Sequence, residues 1–176
     1  MRYVQSEYPE YAHKIKVIKN FVDTNLFNSN IKKTIKSTNY PIILFPRNIC
    51  LGRGIHIALE LIRKIKVDYP NSLLILAGIL ENKIILDKYV EKFNIKENIL
   101  YIGHKNHNEM PGIYRSADII IIPSLGSEGT SLSCLEAMAC GKATIVSNTG
   151  GLLDIGVNKE CIIHTNPNVE SFYEST

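Results

Sequence analysis

The sequence predicts a doubly wound α/β domain with a parallel sheet of about six strands. From residue 41 onwards, short apolar runs alternate with amphipathic helical patterns at roughly 20–30 residues per strand–helix unit. The apolar runs are continuous and do not alternate with polar residues, which is typical of strands buried on both faces. Burial of this kind indicates a parallel sheet that is covered by helices on both sides.

The predicted strands are short apolar runs bounded by proline, glycine or polar residues. They cover residues 41–46, 72–77, 99–102, 118–122, 144–146 and 161–163. The predicted helices carry apolar residues at helical spacing, and they cover 53–67, 82–93, 108–117 and 132–140. Because ligands bind beyond the carboxyl ends of parallel strands, we expect the functional residues in the loops that follow the strands.

The composition is that of a globular protein. The chain has 176 residues, of which 45% are apolar and 21% charged, so we expect one domain and no global disorder. No apolar run is long enough to cross a bilayer, and no secretory signal pattern begins the sequence. The four cysteines show neither a Cys-x-x-Cys pair nor zinc-ligand spacing. We therefore expect reduced thiols and a cytoplasmic location.

The excess positive charge lies in the first part of the chain. Residues 1–40 contain seven Lys or Arg against three Asp or Glu, whereas residues 41–176 contain thirteen against fourteen. We interpret 1–40 as a leading segment and linker, with a loop and then a short polar helix or linker over 28–39, and 41–176 as the folded domain. A net charge of +3 that resides in a lysine-rich segment without aromatic stacking residues is weak support for nucleic-acid binding. We expect no nucleic-acid partner.

Common cofactor and metal signatures are incomplete in this sequence. Gly52 and Gly54 begin like a dinucleotide-binding fingerprint, but the third glycine of that pattern is missing. His104 and His107, with Glu109 nearby, could contribute metal ligands, but a loop with two exposed histidines is the favoured interpretation. We expect no metal site.

The loop over 123–131 and the helix after it carry the chemistry that the sequence does contain. The loop is rich in glycine and serine and leads into a helix N-terminus, where free N–H groups and the helix dipole favour phosphate. Two carboxylates, Glu128 and Glu136, stand eight residues apart. Because a carboxylate repels phosphate but accepts hydrogen bonds from a vicinal diol, sugar hydroxyls are the natural partners of this pair. The alternative is that Glu128 caps the helix and Glu136 is exposed to solvent.

Residues 123–141 resemble the Glu-x7-Glu motif of family 4 glycosyltransferases, which consist of two Rossmann-like domains in the GT-B arrangement. The family pattern of Pro-Ser, then Glu-Gly, then Glu-Ala-Met-Ala-x-Gly is present, and the run over 142–151 continues it. The strand and helix over 101–118 are similar to those that precede the family motif. The segment 14–23 resembles the junction that enters the C-terminal domain, so the resemblance extends over roughly residues 12–165.

The resemblance implies a donor-binding role for this domain. Glu136 would hold the ribose hydroxyls of a nucleotide sugar, and Glu128 would contact the donor sugar with a part in catalysis. Arg47 and Arg53 would stabilise the departing diphosphate, since fixed guanidinium groups offset its developing negative charge. His104, directly after the third strand, would lie near the nucleobase. The diphosphate and the sugar would contact the backbone of four consecutive residues: Gly129, Thr130, Ser131 and Leu132.

The implied fold is one half of a GT-B enzyme, and the implied activity is retaining transfer of a hexose from a UDP- or GDP-sugar to a glycan or glycolipid acceptor. No cofactor and no metal is implied. An N-terminal acceptor domain would be missing and the C-terminus truncated, so we expect the isolated domain to be inactive. The acceptor could be lipid-linked. The basic segment over 1–40 would bring the full protein to the inner face of an anionic membrane as a peripheral contact. Two alternatives remain open: an epimerase-like GT-B domain, and a nucleotide- or nucleic-acid-binding module without catalysis.

Overall fold

One parallel sheet forms the centre of the computed structural model, which describes residues 6–16, 18–126, 128–156 and 158–176. The strands are β1 (Ile42–Phe45), β2 (Leu73–Ala77), β3 (Ile99–Gly103), β4 (Ile119–Ile122), β5 (Ala143–Ser147) and β6 (Ile163–Thr165). They lie in the order β3-β2-β1-β4-β5-β6, and every neighbouring pair is parallel. The predicted parallel sheet of about six strands is confirmed.

Helices pack on both faces of this sheet. In the described residues they are α1 (Ile55–Asp68), α2 (Lys83–Phe93), α3 (Met110–Ser116), α4 (Leu132–Ala139) and α5 (Val169–Glu174). Side chains of β1 alternate between the two resulting cores: Ile43 and Phe45 pack with α1, α2 and α5, whereas Ile42 and Leu44 pack with α3 and α4. Because both faces are buried, every residue of β1 is apolar, which explains the continuous runs in the sequence.

The leading segment packs against the domain. The Phe27 side chain is fully buried in the core on the α3–α4 side of the sheet. The backbone N–H groups of Thr34 and Ile35 donate to the Ser116 hydroxyl of α3, at 3.1 and 2.9 Å. Residues 28–39 contain turns and bends and no helix, so the short polar helix considered there is not formed. The domain boundary at residue 40 stays a prediction, and Val17 of the junction-like segment lies outside the described residues.

The structure differs from the predicted elements most clearly at one helix start, one strand and one additional helix. The helix predicted from residue 108 begins at Met110, because a 3₁₀ turn over His107–Glu109, closed by the Asn106 capping box, precedes it. The sixth strand, predicted over 161–163, runs over Ile163–Thr165, where it pairs with β5. Helix α5 was not predicted; the Asn168 side chain caps its N-terminus by accepting the Ser171 N–H at 2.9 Å.

The sheet reverses its winding direction between β1 and β4. The chain moves outward from β1 through β2 to β3, and then returns to the other side of β1 as β4. This reversal brings the carboxyl ends of β1 and β4 side by side, at the edge of the sheet where doubly wound domains bind ligands. No helix among the described residues is both long enough and apolar enough to cross a membrane.

Candidate functional site

The loop after β1 is held against the loop after β4. Gly54, which precedes α1, has a φ of 80°, and a Cβ atom there would lie 1.9 Å from the carbonyl oxygen of Pro123. Only glycine allows this backbone conformation and this close approach together. The N–H of Leu125 also donates to the carbonyl of Gly52 at 3.2 Å. These contacts fix the position of the β1 loop, and with it Arg47 and Arg53, relative to the loop that carries Glu128.

Arg47 and Glu128 form a buried ion pair at the point where the winding reverses. Their side chains are only 7% and 9% exposed, and an Arg47 guanidinium N–H donates to Glu128 Oε1. Ser124 joins them, because its hydroxyl donates to Glu128 Oε2 and accepts from Arg47. Glu128 is therefore not a helix cap, and Arg47, 81 residues away in the sequence, is its principal partner.

Arg53 is the second guanidinium near this carboxylate. Its Nη1 lies 3.4 Å from Glu128 Oε1, but the Arg53 side chain is 45% exposed. Burial alone would raise the pKa of Glu128, but the hydrogen bonds from Arg47 and Ser124 and the charges of Arg47 and Arg53 bring that pKa below its ordinary value. Glu128 is therefore an ionised hydrogen-bond acceptor at neutral pH.

Glu136 is buried in α4 and is not solvent-exposed, which rules out the alternative considered for it. Its Oε2 accepts a hydrogen bond from the Tyr114 hydroxyl of α3 at 2.8 Å. Its Oε1 lies 3.6 Å from Nδ1 of His107, whose side chain is 61% exposed. The two carboxylates of the Glu-x7-Glu pattern thus have different surroundings: Glu128 faces arginines, and Glu136 faces a phenol and an imidazole.

A cavity of about 310 Å³ joins four of the predicted site residues. Arg47 and Arg53 from the β1 loop, His104 from the β3 loop and Glu136 from α4 all contribute to its wall. Lys105 does so as well. The cavity opens at the carboxyl edge of β1, β2 and β3, and its wall combines cations with one buried carboxylate.

The four residues after Glu128 do not belong to the described wall of this cavity. Ser131 precedes α4 and its side chain makes no capping hydrogen bond, while Leu132 is the first helical residue and is exposed. The carbonyl of Thr130 accepts from the Asn20 side chain at 3.1 Å. Gly129 packs closely on Gly151. The predicted role of Gly129, Thr130, Ser131 and Leu132 in binding diphosphate and sugar therefore remains a prediction.

Three residues of the site were missed in the sequence. Ser124 and Lys105 lie in the loops after β4 and β3, so the rule that ligands bind beyond the strand ends would have found both. Tyr114 shows no such signal, because it lies within α3 and 22 residues from its partner Glu136. In the described residues, no group of three or more His, Cys, Asp or Glu side chains is arranged to hold a metal ion.

Comparison with known protein families gives a match over residues 27–175, to the family described as "Glycosyl transferases group 1". The chain belongs to this family. An uncharacterized glycosyltransferase from Methanocaldococcus jannaschii is 31% identical over 167 residues, which are 87% of this chain and 45% of that protein. The chain thus spans less than half the length of this curated relative.

Solved structures agree on the fold. The C-terminal domain of a glycosyl transferase group 1 family protein from Francisella tularensis superposes with a TM-score of 0.74 at 24% identity, over 87% of this chain and 84% of that domain. HepE from Anabaena, solved in complex with UDP-glucose, gives a TM-score of 0.78 at 20% identity, over 90% of this chain and 46% of that protein. This glycosyltransferase domain has the Rossmann-like fold of a GT-B C-terminal half.

Proposed function

We propose that this domain binds the nucleoside diphosphate sugar of a retaining glycosyltransferase, with a UDP- or GDP-hexose as the donor. The observation that carries the proposal is the cavity in which Arg47, Arg53, His104 and Glu136 meet. Glu128 is not among the residues of its wall, but it forms ion pairs with both arginines. A nucleotide sugar presents anionic phosphates and neutral hydroxyls at separate points. The two carboxylates also have different surroundings, and this difference supports the proposal.

The arginines and Lys105 are suited to the diphosphate. A guanidinium carries five N–H donors, and Arg47 uses one on Ser124 and one on Glu128, so donors remain for phosphate oxygens. Arg53 is half exposed, so part of its guanidinium is accessible to a ligand. When the bond to the sugar breaks, the diphosphate gains negative charge, and these fixed cations stabilise it without a metal ion.

The two carboxylates are suited to the hydroxyls. Glu136 would accept hydrogen bonds from both ribose hydroxyls, since a carboxylate has about four lone-pair positions and Tyr114 occupies one. Because the pKa of Glu128 is lowered, Glu128 remains ionised and would accept hydrogen bonds from the donor sugar without acting as a general acid. His104 would lie beside the nucleobase at the β3 end of the cavity.

In the proposed reaction, an acceptor hydroxyl attacks the anomeric carbon from the face on which the diphosphate departs. The bond from that carbon to the phosphate oxygen breaks, a bond to the acceptor oxygen forms, and the acceptor proton passes to the departing diphosphate. The acceptor, which we propose to be a glycan or a lipid-linked glycan, would bind to a second domain, as expected for a GT-B enzyme. This domain alone would therefore bind the donor weakly and transfer no sugar.

Ligand-observed NMR of the purified chain with UDP-glucose, GDP-mannose and ADP-glucose tests the donor role. We expect saturation transfer to the ribose protons of at least one of these compounds. The Glu136→Gln variant should weaken that binding about tenfold, because a hydrogen bond to a charged group is lost. The matched control is Glu97→Gln, which changes an exposed glutamate and should leave binding unchanged. A response to none of the three compounds would contradict the proposal.

The Glu136→Gln variant also distinguishes donor binding from the alternative that the chain is a nucleic-acid-binding module. If the chain binds oligonucleotides tightly, with a steep dependence on salt, and Glu136→Gln leaves nucleotide binding intact, the alternative is favoured. We expect the opposite result on both counts, because the excess positive charge lies in residues 1–40 and the cavity contains a buried carboxylate.

A further inference from the structure

A hydrogen bond from α3 orients the Glu136 carboxylate. In the described residues its hydrogen-bond partner is the Tyr114 phenol, which donates to Oε2 at 2.8 Å. His107 Nδ1 lies 3.6 Å from Oε1, which is longer than a hydrogen bond, and most of the His107 side chain is exposed. Tyr114 is therefore the side chain that determines which lone pairs of Glu136 remain free.

Tyr114 is well suited to a fixed donor role. Its side chain is fully buried, so the ring cannot leave its position without opening the core. Burial, and then the neighbouring charge of Glu136, raise the pKa of Tyr114 well above its ordinary value. The phenol therefore keeps its proton at neutral pH, where it donates to the carboxylate.

The leading segment holds this pair in place from behind. The Phe27 ring, which is fully buried, contacts the Tyr114 ring edge-on with centroids 6.1 Å apart. The same Phe27 ring lies 4.9 Å from the His107 ring. Phe27, which precedes the first strand, thus packs against both side chains that approach the Glu136 carboxylate.

We propose that Tyr114 is a positioning residue that aligns the Glu136 carboxylate for simultaneous acceptance of the two ribose hydroxyls. The proposal rests on the donor-binding function proposed above, and it assigns selectivity for ribonucleotides to the Tyr114–Glu136 pair. Without the phenol, the carboxylate rotates about its terminal torsion, which is broad for glutamate, and the geometry for a vicinal diol is lost.

The test compares a ribonucleotide with its analogue that lacks both hydroxyls. Calorimetric affinities of the purified 176-residue chain are measured for UDP and GDP and for the 2′,3′-dideoxy form of each. The wild-type chain should bind the ribonucleotide at least about tenfold more tightly than its dideoxy analogue, because two hydrogen bonds to a charged group are at stake. Tyr114→Phe keeps the ring and removes only the hydroxyl.

In Tyr114→Phe, affinity for the ribonucleotide should fall about fivefold or more, whereas affinity for the dideoxy analogue should stay within about twofold of wild type. If the role of Tyr114 were purely structural, the variant would lose affinity for both compounds by the same factor, and that result would overturn the proposal. So would full retention of ribose selectivity in the variant. Tyr69→Phe changes an exposed tyrosine and serves as the matched control, with no expected change for either compound.

The same measurements distinguish failure of the proposed donor-binding function from failure of the positioning role of Tyr114. If the wild-type chain binds ribonucleotide and dideoxy analogue with equal affinity, Glu136 does not hold the ribose, and the donor proposal fails together with this one. If wild type is selective and Tyr114→Phe is equally selective, only the positioning role of Tyr114 fails. The dideoxy affinity of the variant also reports whether its site is still folded.

Discussion

Replacement of Arg47 by methionine should destabilise the domain by leaving a buried carboxylate without its main partner. Removal of one member of a buried ion pair costs about 3–5 kcal/mol in the free energy of unfolding. Here Ser124 still donates to Glu128, and Arg53 lies 3.4 Å from Oε1, so part of that cost is offset. We expect about 2–3 kcal/mol, which in a domain of this size lowers the melting temperature by about 5–10 °C.

The pH dependence of this loss identifies its cause. The pKa of Glu128 is lowered in the folded state, so its ion pair contributes stability above the ordinary glutamate pKa of about 4.3 and loses it as the pH falls through the lowered value. In Arg47→Met the carboxylate loses its principal cation, and its pKa rises. The difference in unfolding free energy between wild type and variant should therefore be largest at pH 7 and decrease below about pH 4.

Urea unfolding followed by circular dichroism between pH 3 and pH 7 measures this difference without adding salt that screens charges. Lys83→Met is the matched control, because it breaks an exposed pair with Asp87 in α2 and should change stability by no more than about 0.5 kcal/mol. Equal stability of Arg47→Met and wild type at pH 7, or a difference that does not change down to pH 3, would refute the buried pair.

Two further predictions concern the scaffold of the site. Gly54→Ala should destabilise the domain by more than about 2 kcal/mol or prevent its folding, because the new Cβ meets the Pro123 carbonyl at a positive φ. Gly52→Ala is the control, since no atom lies near its Cβ position, and its free energy of unfolding in the same urea titration should be close to that of wild type. Phe27→Ala should cost about 3–5 kcal/mol in thermal or urea unfolding, since the ring is fully buried, whereas Phe21→Ala removes an exposed ring and should change little. Equal effects within either pair would contradict the packing described here.

The fold was predictable because a strand that is buried on both faces has a continuous apolar sequence. Four consecutive isoleucines over 119–122 cannot form an alternating surface strand, and they form β4 at the centre of the sheet. The element that was displaced, β6 over Ile163–Thr165, is an edge strand whose residues are only half buried. Its hydrophobic pattern is weaker, so the apolar residues just before it were a misleading guide.

Several residues around the cavity could be named from the sequence, but their arrangement could not. Arg47, Glu128 and Glu136 could be named from the motif, yet their partners depend on which strands are neighbours. Arg47 meets Glu128 because β4 returns to lie beside β1, and nothing local to either residue specifies that pairing. The burial of Glu136 depends in the same way on Tyr114, which belongs to the preceding helix.

The leading segment makes contacts that its composition does not indicate. Its lysines and asparagines indicate a solvated linker, yet it reaches the site at two positions. The Asn20 side chain binds the carbonyl of Thr130 in the loop after Glu128, and Phe27 packs on His107 and Tyr114 beside Glu136. A domain that began at residue 41 would lose both contacts and keep every charged residue of the site. The contacts around the site therefore extend back to about residue 20, in the chain that precedes the sheet.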